Sequence, residues 1–261
     1  MKKTLKISVW LFLLVYLIGM SAFVSKKHNL KICNKVNVII ADSVSQKFID
    51  KKDIIKFFEN RGQLVLGEKI NSVNTMSLET TLLENNLIES CSAYYTVDGK
   101  LHIEVFQKCP IARIIDKNNN NYYIDKKGDI FQAVTRSSPH VVVVSGNIKV
   151  PKGSGNTMNI FQVKKNGFIS EWHELYHMIS FVNQNPFWRA QIEQVYKTKK
   201  GEYELVPRIG PHIITLGDLS DYEHKFWKLK TLYEEGLNRK GWNQYLYINL
   251  KYKDQVVCTK I

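Results

Sequence analysis

The longest unbroken apolar run stands at the start of the chain. Between Lys6 and Lys26 no residue is charged, and Ile7 to Val24 is apolar except at Ser8, Gly19 and Ser21. At about 1.5 Å of rise per residue, a helix over 7–24 reaches nearly 30 Å, the thickness of a bilayer hydrocarbon core. The run exceeds the roughly 7 to 15 apolar residues of a signal-peptide core, so it predicts a retained anchor in preference to a cleaved leader. A tail at 1–6, a transmembrane helix at 7–24 and a polar linker at 25–35 follow from this pattern. Charge alone does not orient the helix, because Lys2, Lys3 and Lys6 precede it while Lys26, Lys27, Lys31 and Lys35 follow. A large folded body behind a single first helix predicts that the body lies outside the cytoplasm.

After the linker the period changes twice. Val36 to Ile40 is a short β-favouring run, whereas Ile54, Ile55, Phe57 and Phe58 fall on helical spacing between Asp50 and Gly62. A second helix is predicted from Asn74 to Asn85, with Leu78 and Leu82 one turn apart and Asn74 or Ser77 as its cap. A hairpin follows, with strands Ala93–Val97 and Lys100–Gln107 joined at Asp98-Gly99. In the second strand Leu101, Ile103 and Val105 alternate with His102, Glu104 and Phe106. The predicted order over 36–108 is β-α-α-β-β.

From Cys109-Pro110 the pattern is mainly that of strands, which predicts a second domain over 109–261. Strands are read at 111–115, 122–124, 141–144, 191–196, 203–206 and 212–216, with a loop over 149–156. Two helices interrupt them. One covers 170–182, where Trp172, Leu175, Tyr176, Ile179 and Val182 share one side, and the other covers 222–235. Two closing strands are predicted at 245–251 and 255–259. The fold class is therefore α+β: a single N-terminal transmembrane helix, the β-α-α-β-β domain, and a mainly antiparallel β domain with two helices.

Composition narrows the function without naming it. The 261 residues are 44% hydrophobic and 23% charged, as expected of a chain that buries a core. Lysine and arginine exceed acids 37 to 24, for a formal charge of +13. The basic residues are dispersed, without a recognition-helix cluster or an RNA-binding signature, so the charge points to an anionic membrane surface and not to nucleic acid. Cys33, Cys91, Cys109 and Cys258 form no Cys-x-x-Cys pair. With a two-residue turn at Asp98-Gly99, Cys91 would face Phe106 and Cys109 would lie on the other face, so free thiols are predicted.

One motif carries possible chemistry. His173-Glu174-Leu175-Tyr176-His177 matches H-E-x-x-H, in which histidines four apart on a helix hold zinc and the glutamate takes a proton from metal-bound water. On the predicted helix His173 and His177 lie about 100° or more from Trp172, outside the apolar stripe, so both should face solvent. No spaced glycine and histidine follow in Met178-Ile179-Ser180. A zinc metallopeptidase using His173 and His177 is the alternative reading. The preferred one has no catalytic residue, cofactor or metal.

The β-α-α-β-β order directly behind an anchor resembles a POTRA domain, a module that holds protein or peptide partners near a membrane. The whole chain resembles the FtsQ/DivIB family of bacterial cell-division proteins. Leu101-His102-Ile103-Glu104-Val105 leading to Pro110-Ile111-Ala112-Arg113 looks like that family's domain junction, and Tyr123-Ile124-Asp125-Lys126-Lys127-Gly128 like its following turn. Pro186 to Ile192, Glu204 to Arg208, Ile213 to Gly217 and Ile248 to Val257 are similar to later family segments. Lys251 stands where an arginine is frequent, and the sequence stops after the last strand, which favours an FtsQ-like protein of an inner membrane. The resemblance implies a non-enzymatic scaffold that recruits FtsB-like and FtsL-like membrane proteins to the septum, with its domains in the periplasm. Tyr252, between the two predicted closing strands, and Gln255, Val256 and Val257, on the last of them, are the candidate partner-binding residues, with strand addition at an open edge as the mode. Val256 and Val257 cannot both point outward from one strand.

Overall fold

The computed structural model describes residues 10–21, 31–41, 48–63, 65–133, 138–151, 157–162 and 167–261. Residues 10–21 are helical, with every side chain exposed. The predicted transmembrane span 7–24 is thus covered only in part, since 7–9 and 22–24 lie outside the described residues, as do the tail 1–6 and linker positions 25–30. No helix among the described residues is long and apolar enough to cross a membrane. The chain divides into two compact units, residues 1–107 and 108–261.

The first unit follows the predicted order. Strand β1 (Lys35–Ile40) leads to helix α1 (Lys51–Glu59), a 3₁₀ turn (Ile70–Ser72), helix α2 (Thr75–Leu83) and strands β2 (Ile88–Tyr95) and β3 (Lys100–Gln107). Local signals start both helices. The Asp50 N–H donates to the Asp53 carboxylate (2.8 Å), and Asn74 Oδ1 accepts from the Ser77 N–H (3.3 Å). In the sheet β3 lies between β1, to which it is parallel, and β2, to which it is antiparallel. Leu101, Ile103 and Val105 turn inward, each at most 1% exposed. Gln107 ends β3 by accepting the N–H groups of Phe48 (2.8 Å) and Ile49 (2.9 Å) on one side-chain oxygen.

The hairpin register differs from the prediction by one residue. Cys91 pairs with Val105 and Ser90 with Phe106, because the turn holds three residues between Thr96 and Lys100. The Thr96 N–H donates to the Lys100 carbonyl (2.9 Å), and Gly99 takes φ +87°. This is a turn closed by a left-handed glycine, which shifts the pairing relative to a two-residue turn. None of the four cysteines is disulfide-bonded.

The second unit is a ten-stranded sheet covered by helices. Its strands are β4 (Pro110–Ile115), β5 (Asn121–Asp125), β6 (Asp129–Gln132), β7 (Val142–Gly146), β8 (Thr157–Asn159), β9 (Ile192–Lys197), β10 (Tyr203–Pro207), β11 (Ile213–Gly217), β12 (Tyr245–Asn249) and β13 (Val257–Lys260). They lie in the order β13-β12-β11-β10-β9-β7-β4-β5-β6-β8. Six of the nine pairings are antiparallel, while β4–β7, β7–β9 and β11–β12 are parallel. The helices are α3 (Gly167–Gln184), α4 (Pro186–Gln191) and α5 (Tyr222–Thr231), the last continuing through a π turn, Leu232–Leu237.

Three of these elements go beyond the predicted set. β6 and β8 are too short for their alternation to show, and α4 is a single turn and a half. Its signal is nonetheless present, because Asn185 caps the N–H groups of Phe187 and Trp188 and Pro186 occupies the first turn. On α3, Trp172, Leu175, Met178, Ile179 and Val182 are buried at 3% exposure or less. Tyr176, predicted for the same stripe, is half-buried at its border, where its hydroxyl donates to the Lys126 carbonyl (2.6 Å).

Two local features generate tests of this architecture. Lys108, 7% exposed, donates to Asp129 (2.6 Å) and lies 3.7 Å from Asp125. Burial pushes the Asp129 carboxyl up, but the hydrogen bonds from Lys108 and Asn159 outweigh it and hold the group below the ordinary carboxylate range. Lys108→Met, which leaves two carboxylates without their cation, should cost about 3 kcal/mol in urea unfolding at neutral pH. Because the folded pKa of Asp129 is depressed, its stabilisation is present above the unfolded carboxyl pKa and is lost as pH falls through the folded value. Asp129→Asn should accordingly flatten the acid limb of the stability profile. Gly146 ends β7 at φ +95°, and a Cβ there would stand 2.3 Å from the Lys197 carbonyl oxygen. Gly146→Ala should lower the melting temperature through a loss of at least about 2 kcal/mol.

Candidate partner-binding edge

At one end of the large sheet β13 pairs only with β12, and its other side is open among the described residues. Asn249 pairs with Val257, Ile248 with Cys258 and Tyr247 with Thr259. Unpaired N–H and C=O groups along such a margin are a template for another strand. The inward positions of this margin, Val256 and Cys258, pack against the core, whereas Val257 is 43% exposed. The two valines therefore point to opposite sides.

The closing strands are shorter than predicted. β12 stops at Asn249 and β13 starts at Val257, so of the four candidate residues only Val257 lies on a strand. Tyr252 and Gln255 are exposed on the intervening turn, and Val256 leads from it into β13. The reason is a set of hydrogen bonds that bends the chain after Asn249. Asn249 Oδ1 accepts the Lys251 N–H (3.0 Å), and the Leu250 N–H donates to the Thr215 carbonyl of β11 (3.0 Å). From α5 the Lys228 ammonium donates to the Leu250 carbonyl (2.9 Å) and also to the Tyr252 carbonyl. Lys228 is 7% exposed, and burial, followed by the neighbouring Lys225 charge, pulls its pKa down. A long cationic side chain thus serves as the internal clamp of the turn that presents Tyr252.

Exposed apolar groups surround the margin. Tyr252 is 49% exposed, Tyr247 and Leu246 41% each, and Ile261 75%. Lys251, Lys253 and Lys260 are exposed beside them, with Asp254 as the acid of the turn, and Lys251 pairs with Glu202 at 2.5 Å. The edge combines backbone donors and acceptors, aromatic surface and positive charge. That combination suits strand capture.

Lys228 was not singled out by sequence reasoning, although a signal existed. Lys225 and Lys228 share the helical face of Phe226 and Leu229, and all four are buried. Lysines that interrupt an apolar stripe need a local partner, here the Asp218 carboxylate for Lys225 (2.6 Å) and two turn carbonyls for Lys228.

The H-E-x-x-H residues sit elsewhere, on α3. The expectation that both histidines face solvent holds for His177, which is exposed, and fails for His173, which is half-buried. The segment around Ile160 and Phe161 crosses that side of the helix. Its Ile160 carbonyl lies 3.0 Å from His173 Nε2, and the Phe161 ring lies 5.0 Å from the His173 ring. Glu174 is exposed. Among the described residues no group of three or more His, Cys, Asp or Glu side chains is gathered as a metal would require.

Comparison with known proteins agrees with the two-unit architecture. A POTRA-like domain model matches residues 31–106, and a family model described as FtsQ/DivIB, C-terminal related, matches residues 109–259. No curated protein matches the chain. With more than half of its 261 residues under the second match and a POTRA-like domain before it, the chain belongs to the FtsQ/DivIB family, which acts in bacterial cell division through interactions with other division proteins and generally without enzymatic activity.

Proposed function

We propose that this protein is a non-enzymatic scaffold that captures FtsB-like and FtsL-like membrane proteins at the division septum and links them to septal peptidoglycan synthesis. The observation that carries this reading is the open side of β13, beside a turn that presents an exposed tyrosine. A partner strand laid along Val257–Lys260 satisfies the free backbone groups, and alternate side chains of that strand meet Val257 and Thr259 on one side. Tyr252 supplies aromatic contact area at low entropic cost, and Val256 and Cys258 hold the margin down on the core.

The apolar span 7–24 fits this role as an inner-membrane anchor that leaves both domains in the periplasm. Confinement to a surface raises the effective concentration of partners that are themselves membrane-bound, so a short edge contact suffices for capture. The dispersed positive charge keeps the body compatible with an anionic membrane face.

The test is co-purification and titration of the full-length protein in nanodiscs with an FtsB-type partner. Val257→Asp and Tyr252→Ala should each weaken binding about tenfold or more, with melting temperature unchanged. Lys228→Met, which removes the clamp of the turn, should weaken binding and also lower stability. Undiminished binding by both Val257→Asp and Tyr252→Ala would remove the edge from the mechanism.

A further inference from the structure

A second feature of the β unit is independent of the open edge. A cavity of about 220 Å³ is lined by Arg113 on β4, the segment Ser138–Val143 entering β7, Val182 and Asn183 at the end of α3, Arg189 on α4, Ile192 and Glu193 on β9, and Arg208 just after β10. In the sheet, β10, β11 and β12 separate β9 from β13. At about 4.8 Å per strand this places the cavity's β9 wall nearly 20 Å from the edge.

The cavity is unbalanced in charge. Among the described residues three guanidinium groups and His140 line it, and Glu193 is the one acidic residue. Among the described residues none of the three arginines has a carboxylate within ion-pair distance. The hydrogen-bond partners of Arg113 and Arg208 are neutral. Arg113 donates from Nε and Nη2 to Asn121 Oδ1 (3.1 and 2.7 Å) and from Nη1 to Ser138 Oγ (3.4 Å). Arg208 Nη2 donates to His140 Nε2 (2.9 Å), which requires a neutral imidazole as acceptor. Neutral acceptors orient a guanidinium but leave its charge uncompensated, and each arginine keeps donors in hand from its set of five.

Beneath this rim the floor is aliphatic, formed by Val142, Val182 and Ile192, each at most 7% exposed. The volume falls below the range of about 300–1,000 Å³ typical of cofactor and drug-sized sites. It suits one side chain. An anion on a short methylene stem satisfies rim and floor together, and guanidinium recognises a carboxylate in a forked, two-bond geometry.

We propose that this pocket receives an aspartate or glutamate side chain of a partner polypeptide, its carboxylate held by Arg189 and Arg208 and its methylenes seated on Val142, Val182 and Ile192. Arg113, fixed by Asn121 and Ser138, supplies the background positive potential. An acidic segment docked here gives the protein a contact surface separate from strand addition at β13.

The test uses the full-length protein in detergent micelles and two fluorescein-labelled peptides, one of alternating leucine and glutamate and one of leucine and glutamine, followed by fluorescence anisotropy. The glutamate peptide should bind at least tenfold more tightly than the glutamine peptide. Arg189→Gln with Arg208→Gln should erase that preference, while Lys199→Gln with Lys200→Gln, which removes the same charge from two exposed lysines, should preserve it. Tyr252→Ala should also leave it intact. Equal loss in both double variants would assign the binding to net charge alone and overturn the proposal. So would equal binding of the two peptides, or displacement of the glutamate peptide by equimolar inorganic phosphate.

Discussion

Trp172, Leu175, Met178, Ile179 and Val182 on α3 and Phe226, Leu229 and Tyr233 on the helix of α5 and its π turn pack with the inward residues of β4, β7, β9, β10, β11 and β12 into one core. Each such side chain contributes about 1.5–3 kcal/mol on burial, so a few of them outweigh any surface ion pair of the molecule. The helices also lock to one another through rings, with Phe226 4.8 Å from Trp188 and 5.4 Å from Phe181. A sheet of ten strands exposes too much apolar face to persist uncovered, and this cover is what permits strands from distant parts of the chain to lie side by side.

Both proposed contact regions depend on that cover. The turn between β12 and β13 hangs from α5 through Lys228, so the presentation of Tyr252 is set by a helix that packs on the core many residues away. The arginine-lined cavity forms where α3 ends, α4 begins and three neighbouring parallel strands start or pass. Its floor is the border of the core, which no other side chain among the described residues fills. Core packing thus generates recognition surfaces at its margins, where apolar floor and polar rim meet.

Several buried polar groups are compensated by a local partner. Lys108 sits between Asp125 and Asp129, Lys228 among carbonyls, and His212 against the Tyr233 hydroxyl at 2.9 Å. Burial pulls the His212 pKa down, which keeps the ring neutral beside Tyr233 and the stacked Trp242. In the first unit Gln107 has a comparable role, tying the end of β3 to the chain before α1.

Local periodicity was enough to read the β-α-α-β-β order, the faces of α2 and α3, the helix cap Asn74, and most strands of the β unit. These features depend on neighbours within a few residues, which is the range over which sequence pattern acts. The hairpin register lay just beyond it, since one extra residue before Gly99 moved every pair in β2 and β3. Tertiary structure alone decided the parallel pairing of β4, β7 and β9, the shelter of His173 under Phe161, the clamp at Lys228 and the meeting of Arg113, Arg189 and Arg208. Each joins residues far apart in the chain, and no local pattern encodes which distant group will satisfy a buried charge or leave one without a counter-ion.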